Sequence, residues 1–448
     1  MNLYDHQIEA KKLILSQNAT AVMAEPGTGK TLTFLSAMFE HEAFDCLILC
    51  PVSVRHNWDH EIQKHFGDRA GSYSVHLIDS QKAADEAMHS KIARRILIAG
   101  IESLSAGKTY ERLVFWIQDN LRQNSWLCVD ESHLIKNHNS TRTKRATNLS
   151  RKFRYRVCMT GTPTTGKLVD LFAQYRLLDP EVFGTKYAAF KNRYCVMGGY
   201  EGRVIVGYQN VGHLMQKIEP FTFKARKEDC LDLPEKVYQE RYVTMPGPQK
   251  KAYNDAYKNL VMVLEDETVG IKNALEALLR LSQITSGQLK DQMLPAPKIN
   301  EALKVVEACG DPCVIWSCFK MEQQRMYEAL CKEYGDAYIG LINGDVSQAE
   351  RNDLVQRFQR RELIALVASQ AAGGIGINLT AANTQVFLSN TYQATHRIQA
   401  EDRLHRVGQE HSVTVVDLVA ENTVDGAILT SLTGKKDVID GVLRKWKK

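Results

Sequence analysis

Lys30 and Thr31 close the segment AVMAEPGTGKT (21–31), in which an apolar run leads into Gly27, Thr28 and Gly29. The helix-like LTFLSAMFE follows directly. Phosphate binding needs this order. Glycine permits backbone conformations that aim several N–H groups inward, and a helix N-terminus adds its positive dipole. Lys30 would reach the β- and γ-phosphates, and the Thr31 hydroxyl would ligate Mg²⁺. The strict pattern has Gly at position 24, where this chain has Ala24. Farther along, the run WLCVD ends in the adjacent acids Asp130 and Glu131. Parallel sheets gather their ligands outside the C-terminal ends of the strands. There Asp130 would hold Mg²⁺ through water, and Glu131 would orient and deprotonate an attacking water. A third group lies in HRIQAEDRLHRVGQ (396–409), where Arg403 and Arg406 stand three apart. On a helix they would share one face. Arginines held this way would reach a γ-phosphate bound by another domain, an effect worth roughly 10³–10⁵ in rate.

Two segments imitate the first. GTPTTGK (161–167) has the glycine and lysine spacing, but Leu168 follows and cannot bind a metal. AGKT (106–109) has the right ending, but Gly100 stands two positions too early. Both are expected to be loops after strands. The basic stretches RTKR (142–145), RKFRYR (151–156), RFQRR (357–361) and RKWKK (444–448) are each simplest as solvated faces.

The elements that must position these groups form two series. Short apolar runs at 20–24, 46–50, 95–100, 126–130 and 155–160 alternate with amphipathic stretches, and a second set recurs at 313–317, 338–343, 363–368, 384–388 and 413–419. Runs of this length without clean alternation fit strands buried on both faces, and helical segments between them fit βαβ units. The fold class expected is α/β: two tandem parallel-sheet lobes with a helical insertion between them. The first lobe is placed at 1–290, including a helical protrusion at about 183–290, and the second at 299–448. LPAPK (294–298) falls in the expected linker, 291–298, because its two prolines suit neither a helix interior nor a central strand.

Composition agrees. The 448 residues are 44% hydrophobic and 24% charged, which is ordinary for a globular protein and excludes general disorder. The net charge of +5 permits a polyanionic partner without demanding one. No apolar run is long enough to cross a membrane, and the N-terminus MNLYDHQIEAKK lacks the apolar stretch of a signal peptide. The ten cysteines are scattered, with no CxxC, so a reducing compartment and no structural zinc are expected.

Taken in order, these segments resemble the motif set of superfamily-two helicases, and more closely the Swi/Snf-related DNA translocases. LYDHQ (3–7) resembles the adenine-reading glutamine motif, PGTGKT (26–31) motif I, and LCPVSVRHNWDHEIQKHF (49–66) motif Ia. DESHLIKN (130–137) is similar to the DEAH-box, and TGTPTTGKLVDLFAQYRLLDPEVFG (160–184) to motif III and the helix after it. FKARKEDCLDLPEKV (223–237) resembles the end of the first lobe. INGDVSQAERNDLVQRFQ (342–359), SQAAGGIGINLTAAN (369–383) and QAEDRLHRVGQ (399–409) resemble motifs IVa, V and VI. The likeness runs from residue 3 to about 420.

The resemblance implies two RecA-like lobes with ATP in the cleft between them. It places Gln7 on the adenine, makes Arg406 the arginine finger, and adds Gly376 and Gln399 to the interlobe site. It implies phosphate contacts from Ser53 and Ser369 to double-stranded or branched DNA, with stepping driven by ATP and usually no strand separation. Departures are Ala24 where the family often has an acid, Pro26 where a methionine or similar residue is common, and Ser132 where alanine is usual. A minimal monomeric motor is expected, in the cytoplasm of a bacterial cell or phage-infected host and associated with the nucleoid. Its work would lie in repair, fork remodelling or recombination. A strand-separating helicase and a non-catalytic DNA-binding scaffold remain as alternatives.

Overall fold

A computed structural model describes residues 3–70, 72–78, 80–89, 92, 94–164, 167–199, 202, 204–265, 271–290, 292–371 and 376–432. Residues 165–166 of GTPTTGK, 372–375 of motif V and the terminal RKWKK lie outside the described residues. The chain divides into two compact units between Asp232 and Leu233.

In the first unit the apolar runs form β1 (Ala19–Ala24), β2 (Asp45–Cys50), β3 (Tyr73–Ile78), β4 (Arg94–Gly100), β5 (Ser125–Asp130) and β6 (Tyr155–Thr160). A separate antiparallel ribbon follows, β7 (Cys195–Gly198) and β8 (Val204–Tyr208), and then β9 (Thr222–Ala225). The large sheet has the order β3-β4-β2-β5-β6-β1-β9, and every pair in it is parallel. β1 and β2 are buried along their whole length, which is why their sequences show no polar alternation. Successive side chains still face opposite sides. Leu47 and Leu49 join Phe172 and Tyr175 in one apolar cluster, while Ile48 joins Phe34, Trp58 and Trp126 in the other. Each such buried side chain contributes roughly 1.5–3 kcal/mol. Because all the strands run one way, the C-terminal ends of β1, β2, β5 and β6 share one edge of the sheet. That edge carries the Lys30 loop and the Asp130–Glu131 pair.

In the second unit the strands are β10 (Lys236–Val243), the small antiparallel pair β11 (Gln288–Leu289) and β12 (Gln292–Met293), and then β13 (Cys313–Ser317), β14 (Ile339–Ile342), β15 (Ala365–Ser369), β16 (Thr384–Phe387) and β17 (Val413–Ala420). The sheet order is β10-β17-β16-β13-β15-β14, again parallel throughout. Trp316, Phe358 and Phe387 fill one face, and Ile315, Met326 and Val386 the other. A third cluster holds Val243, Tyr253, Ile284, Ile428 and Leu432. The architecture is therefore two parallel-sheet α/β lobes.

The division of the chain differs from the sequence expectation. β10 pairs with β17 over eight residues, from Lys236↔Val413 to Val243↔Ala420, so the chain after Leu233 packs with the second sheet. The stretch 183–290 contains β7 to β11 as well as helices, and it is shared between the units. LPAPK is not a free connector. Pro297 occupies the first turn of the helix Pro297–Cys309, where a missing N–H costs nothing. Lys298, 1% exposed, donates from Nζ to Leu388 O at 3.0 Å. Among the described residues, no helix is long and apolar enough to cross a membrane.

Candidate nucleotide site

β1 delivers the chain at Ala24, and the helix Lys30–Glu40 begins six residues later. Gly27 and Gly29 have φ of 87° and 82°. Gly29 caps the helix, and a Cβ built there would stand 2.1 Å from Gln7 Nε2, so no side chain fits. Thr28 Oγ1 donates back to Glu25 O at 2.8 Å, which closes the loop. Lys30 Nζ spans it, donating to Ala24 O at 2.7 Å and Glu25 O at 3.2 Å. Thr31 follows in the first helical turn, half-buried.

Gln7 lies in the helix Asp5–Ser16, 4% exposed, against this loop. Its Nε2 donates to Thr28 O at 3.1 Å, and its Oε1 accepts from Tyr4 N at 3.1 Å. His6 Nε2 lies 2.9 Å from the same Thr28 carbonyl. The Gln7 amide thus holds the loop that leads into Lys30. Glu25 is tied down from another side, accepting from Lys227 N at 2.9 Å within the segment that resembles the end of the first lobe.

Asp130 ends β5. Its Oδ2 accepts from Trp58 Nε1 at 3.0 Å, and its Oδ1 accepts from Glu131 N at 3.0 Å. Loss of water and the neighbouring Glu131 charge push its pKa up to about 6, while Lys30 and the two N–H donors oppose the rise. Two adjacent carboxylates therefore stand close together at the end of β5, with Lys30 opposing their mutual repulsion. Carboxylates are hard oxygen donors of the kind that suits a divalent cation such as Mg²⁺. Glu131 sits in the left-handed region (φ 48°, ψ 51°). Its Oε2 accepts from Thr160 Oγ1 at 3.3 Å, at the end of β6, and His133 Nδ1 lies 3.1 Å from both oxygens. Trp58, Thr160 and His133 had no role assigned from sequence. Ser53 is exposed in the short turn Val52–Val54 that follows β2 on the same edge.

In the second unit Ser369 ends β15 and Gly376 has a φ of 74°. Gln399 is buried in the helix Ala394–Glu401. That helix stops before Arg403 and Arg406, so the expectation that both share a helical face does not hold. The chain turns instead. Arg403 O accepts from Leu379 N at 3.0 Å, and Arg406 Nη1 donates to Ile377 O at 3.5 Å. Gln409 Nε2 binds Ala382 O at 2.8 Å and Leu404 O at 3.3 Å. These bonds gather Gly376, Arg403 and Arg406 around one loop. The helix itself is anchored by Arg397, 3% exposed, which donates to Glu401 Oε1 and Asp417 Oδ2, each at 2.8 Å. Its guanidinium lies 3.5 Å over the Phe387 ring. Arg397→Ala is expected to destabilise the second unit by about 2–3 kcal/mol, because Glu401 and Asp417 lose their shared guanidinium, while Lys236 and Tyr238 still bind Glu401 and Asn390 still binds Asp417. Urea unfolding would measure the loss.

Neither imitating segment has a lysine that opens a helix as Lys30 does. AGKT lies between the turn Ile101–Leu104 and the helix Thr109–Asn120, and GTPTTGK begins in the loop after β6.

A family model for the SNF2-related domain matches residues 6–289, and one for the helicase conserved C-terminal domain matches 297–408. The gap between them falls near the sequence-derived boundary, whereas the packing boundary lies at Asp232 and Leu233. The chain is 28% identical over 443 residues to the putative ATP-dependent helicase/translocase YwqA of Bacillus subtilis, covering 93% of this chain and 46% of that protein. It is 28% identical over 444 residues to human DNA annealing helicase and endonuclease ZRANB3, covering 96% of this chain and 39% of that protein. The chain spans less than half the length of these curated relatives. The solved Sulfolobus solfataricus SWI2/SNF2 ATPase core in complex with dsDNA superposes with a TM-score of 0.44 at 22% identity, over 99% of this chain and 93% of that one. With more than half of its length matched by the first model, the chain belongs to the SNF2-related family and carries a helicase conserved C-terminal domain.

Proposed function

We propose that the chain is a DNA-stimulated ATPase that moves along double-stranded DNA, in repair, replication-fork or recombination remodelling. The observation that carries this reading is the shared sheet edge on which the Lys30 loop meets the Asp130–Glu131 pair. The N–H groups from Gly27 to Thr31 and the Lys30 ammonium bind the phosphates. Thr31 and Asp130 would hold Mg²⁺, which would supply positive charge to the bound phosphates. Glu131 takes the proton of the attacking water. Arg403 and Arg406 of the second unit act on the same γ-phosphate, with Arg406 as the transition-state arginine. Gly376 and Gln399 shape the loop that carries them.

Ser53 and Ser369 serve DNA phosphates, since a motor must accept every sequence. Binding then weakens steeply with salt. The testing experiment is the ATPase rate without nucleic acid and with single-stranded DNA, duplex, forked DNA and RNA, run beside a strand-displacement assay. Duplex or forked DNA is expected to stimulate most, with no displacement. Greatest stimulation by RNA or single strands, accompanied by displacement, would favour a strand-separating helicase instead.

A further inference from the structure

Behind the acidic pair runs a second polar chain, wholly buried, that the reading above does not use. Ser132 and Gln174 are each 1% exposed. Ser132 Oγ donates to Gln174 Oε1 at 2.7 Å. Gln174 Nε2 donates to Pro163 O at 2.7 Å and to Asp170 O at 2.9 Å. Gln174 lies in the helix Asp170–Leu178 among buried Leu171, Phe172, Tyr175 and Leu178. An amide in such surroundings is costly unless its groups are paired. Here both N–H donors and the carbonyl are used.

The two ends of this chain are the informative part. One end is Ser132, the residue next to Glu131, whose left-handed backbone costs a non-glycine residue about 1–2 kcal/mol. The other end is the Pro163 carbonyl, in the turn that begins at Thr160. Thr160 Oγ1 donates to the Glu131 carboxylate and accepts from Thr162 N at 3.1 Å. Glu131 is therefore gripped twice, at its carboxylate by Thr160 and next to its backbone through Ser132 and Gln174. Both routes end in the same turn, and the bonds close a ring.

We infer that Gln174 and Ser132 are positioning residues for Glu131: their hydrogen bond locks the acidic pair to the 160–163 turn and holds the Glu131 carboxylate in one orientation toward the attacking water. This rests on the reading of Glu131 as the general base. It gives the Ser132 hydroxyl, which stands where alanine is usual in the resembling motif, a function of its own. It also requires the two side chains to act as one unit, although they lie 42 residues apart in sequence.

The test is a double-mutant cycle on DNA-stimulated turnover with Ser132→Ala, Gln174→Leu and the pair, each repeated in a Glu131→Gln background. Each single change is expected to lower kcat about tenfold, as misplacement of a reacting group does, with KM for ATP changing less than about twofold. The pair is expected to lose no more than the worse single variant. In the Glu131→Gln background neither change should lower the residual rate further. A purely structural role would lower thermal stability and leave kcat per folded molecule untouched, and that result would overturn the proposal. So would independent, multiplicative losses, or equal losses with and without Glu131. Ser132→Ala removes one hydroxyl and does not unpack the core, so it carries the test if Gln174→Leu fails to fold. The underlying reading fails separately: full turnover in Glu131→Gln alone removes the general base, whereas loss in Glu131→Gln with full turnover in Ser132→Ala removes only the positioning role.

Discussion

Lys30→Ala is expected to lower ATP turnover by roughly a thousandfold or more while leaving duplex DNA binding within about threefold. The size follows from what the side chain is. It supplies a full positive charge at the loop where the γ-phosphate gathers negative charge, and one well-placed donor in such a site is already worth about 10²–10³. The fold should tolerate the change. Lys30 is half-buried at the start of its helix, and its Nζ bonds go to two backbone carbonyls, of Ala24 and Glu25. Alanine is a good helix former, so the helix Lys30–Glu40 should persist. One local change is expected. Without the Lys30 ammonium, the pKa of Asp130 should rise further, because Lys30 is among the groups that hold it down. The measurements are steady-state ATPase, fluorescence anisotropy with labelled duplex, and thermal unfolding. Retained turnover would refute the loop's assignment. Loss of DNA binding with an intact fold would mean that the same residue serves both ligands.

How much was legible in the sequence divides along physical lines. The turn from β1 into the helix Lys30–Glu40 was legible because its geometry is local: Gly29 must be glycine for reasons contained within its own helix cap and its contact with Gln7. The central strands were legible because burial on both faces leaves only apolar residues to use. The edge strands β3 and β10 were not. The middle of β3 is only partly buried, and β10 reads KVYQERYV, with most of its side chains exposed. Neither stands out as an apolar run. The packing boundary was hidden for a related reason. Nothing near Lys236 announces that it will pair with Val413, and that pairing carries the chain after Leu233 into the second unit.

Contacts inside the site followed the same rule. The residue types Asp130 and Glu131 could be chosen from their place at the end of an apolar run. Their orienting partners Trp58 and Thr160 lie 72 and 29 residues from the groups they bind. Spacing alone also misled at the arginines. An interval of three residues suits a helix, but the Arg403 carbonyl is claimed by Leu379 N, and Gln409 ties Leu404 to Ala382. Those bonds favour a turn over a further helical turn.

Arg406→Ala is expected to cost roughly 10³–10⁵ in turnover, with the dissociation constant for ATP rising less than about tenfold. The asymmetry is the argument. An arginine that meets the γ-phosphate only as the bond breaks lowers the barrier without strengthening the ground state, so its loss appears in kcat and leaves affinity nearly alone. A residue that merely bound ATP would lose both together. Arg403→Ala is the internal comparison. Its backbone carbonyl, not its side chain, pairs with Leu379, so the substitution leaves that bond in place. Arg406 makes its contact with Ile377 O from the side chain at 3.5 Å, a long bond whose loss costs little stability. Thermal unfolding of both variants checks that each is folded, so that differences in turnover report on chemistry. The discriminating measurement is a single-turnover rate set beside equilibrium nucleotide binding, with and without duplex DNA. A parallel fall in affinity and rate at Arg406 would assign it to nucleotide binding. A larger kcat loss at Arg403 than at Arg406, with affinity preserved in both, would move the transition-state role to Arg403, three residues nearer the helix that Arg397 anchors to Asp417.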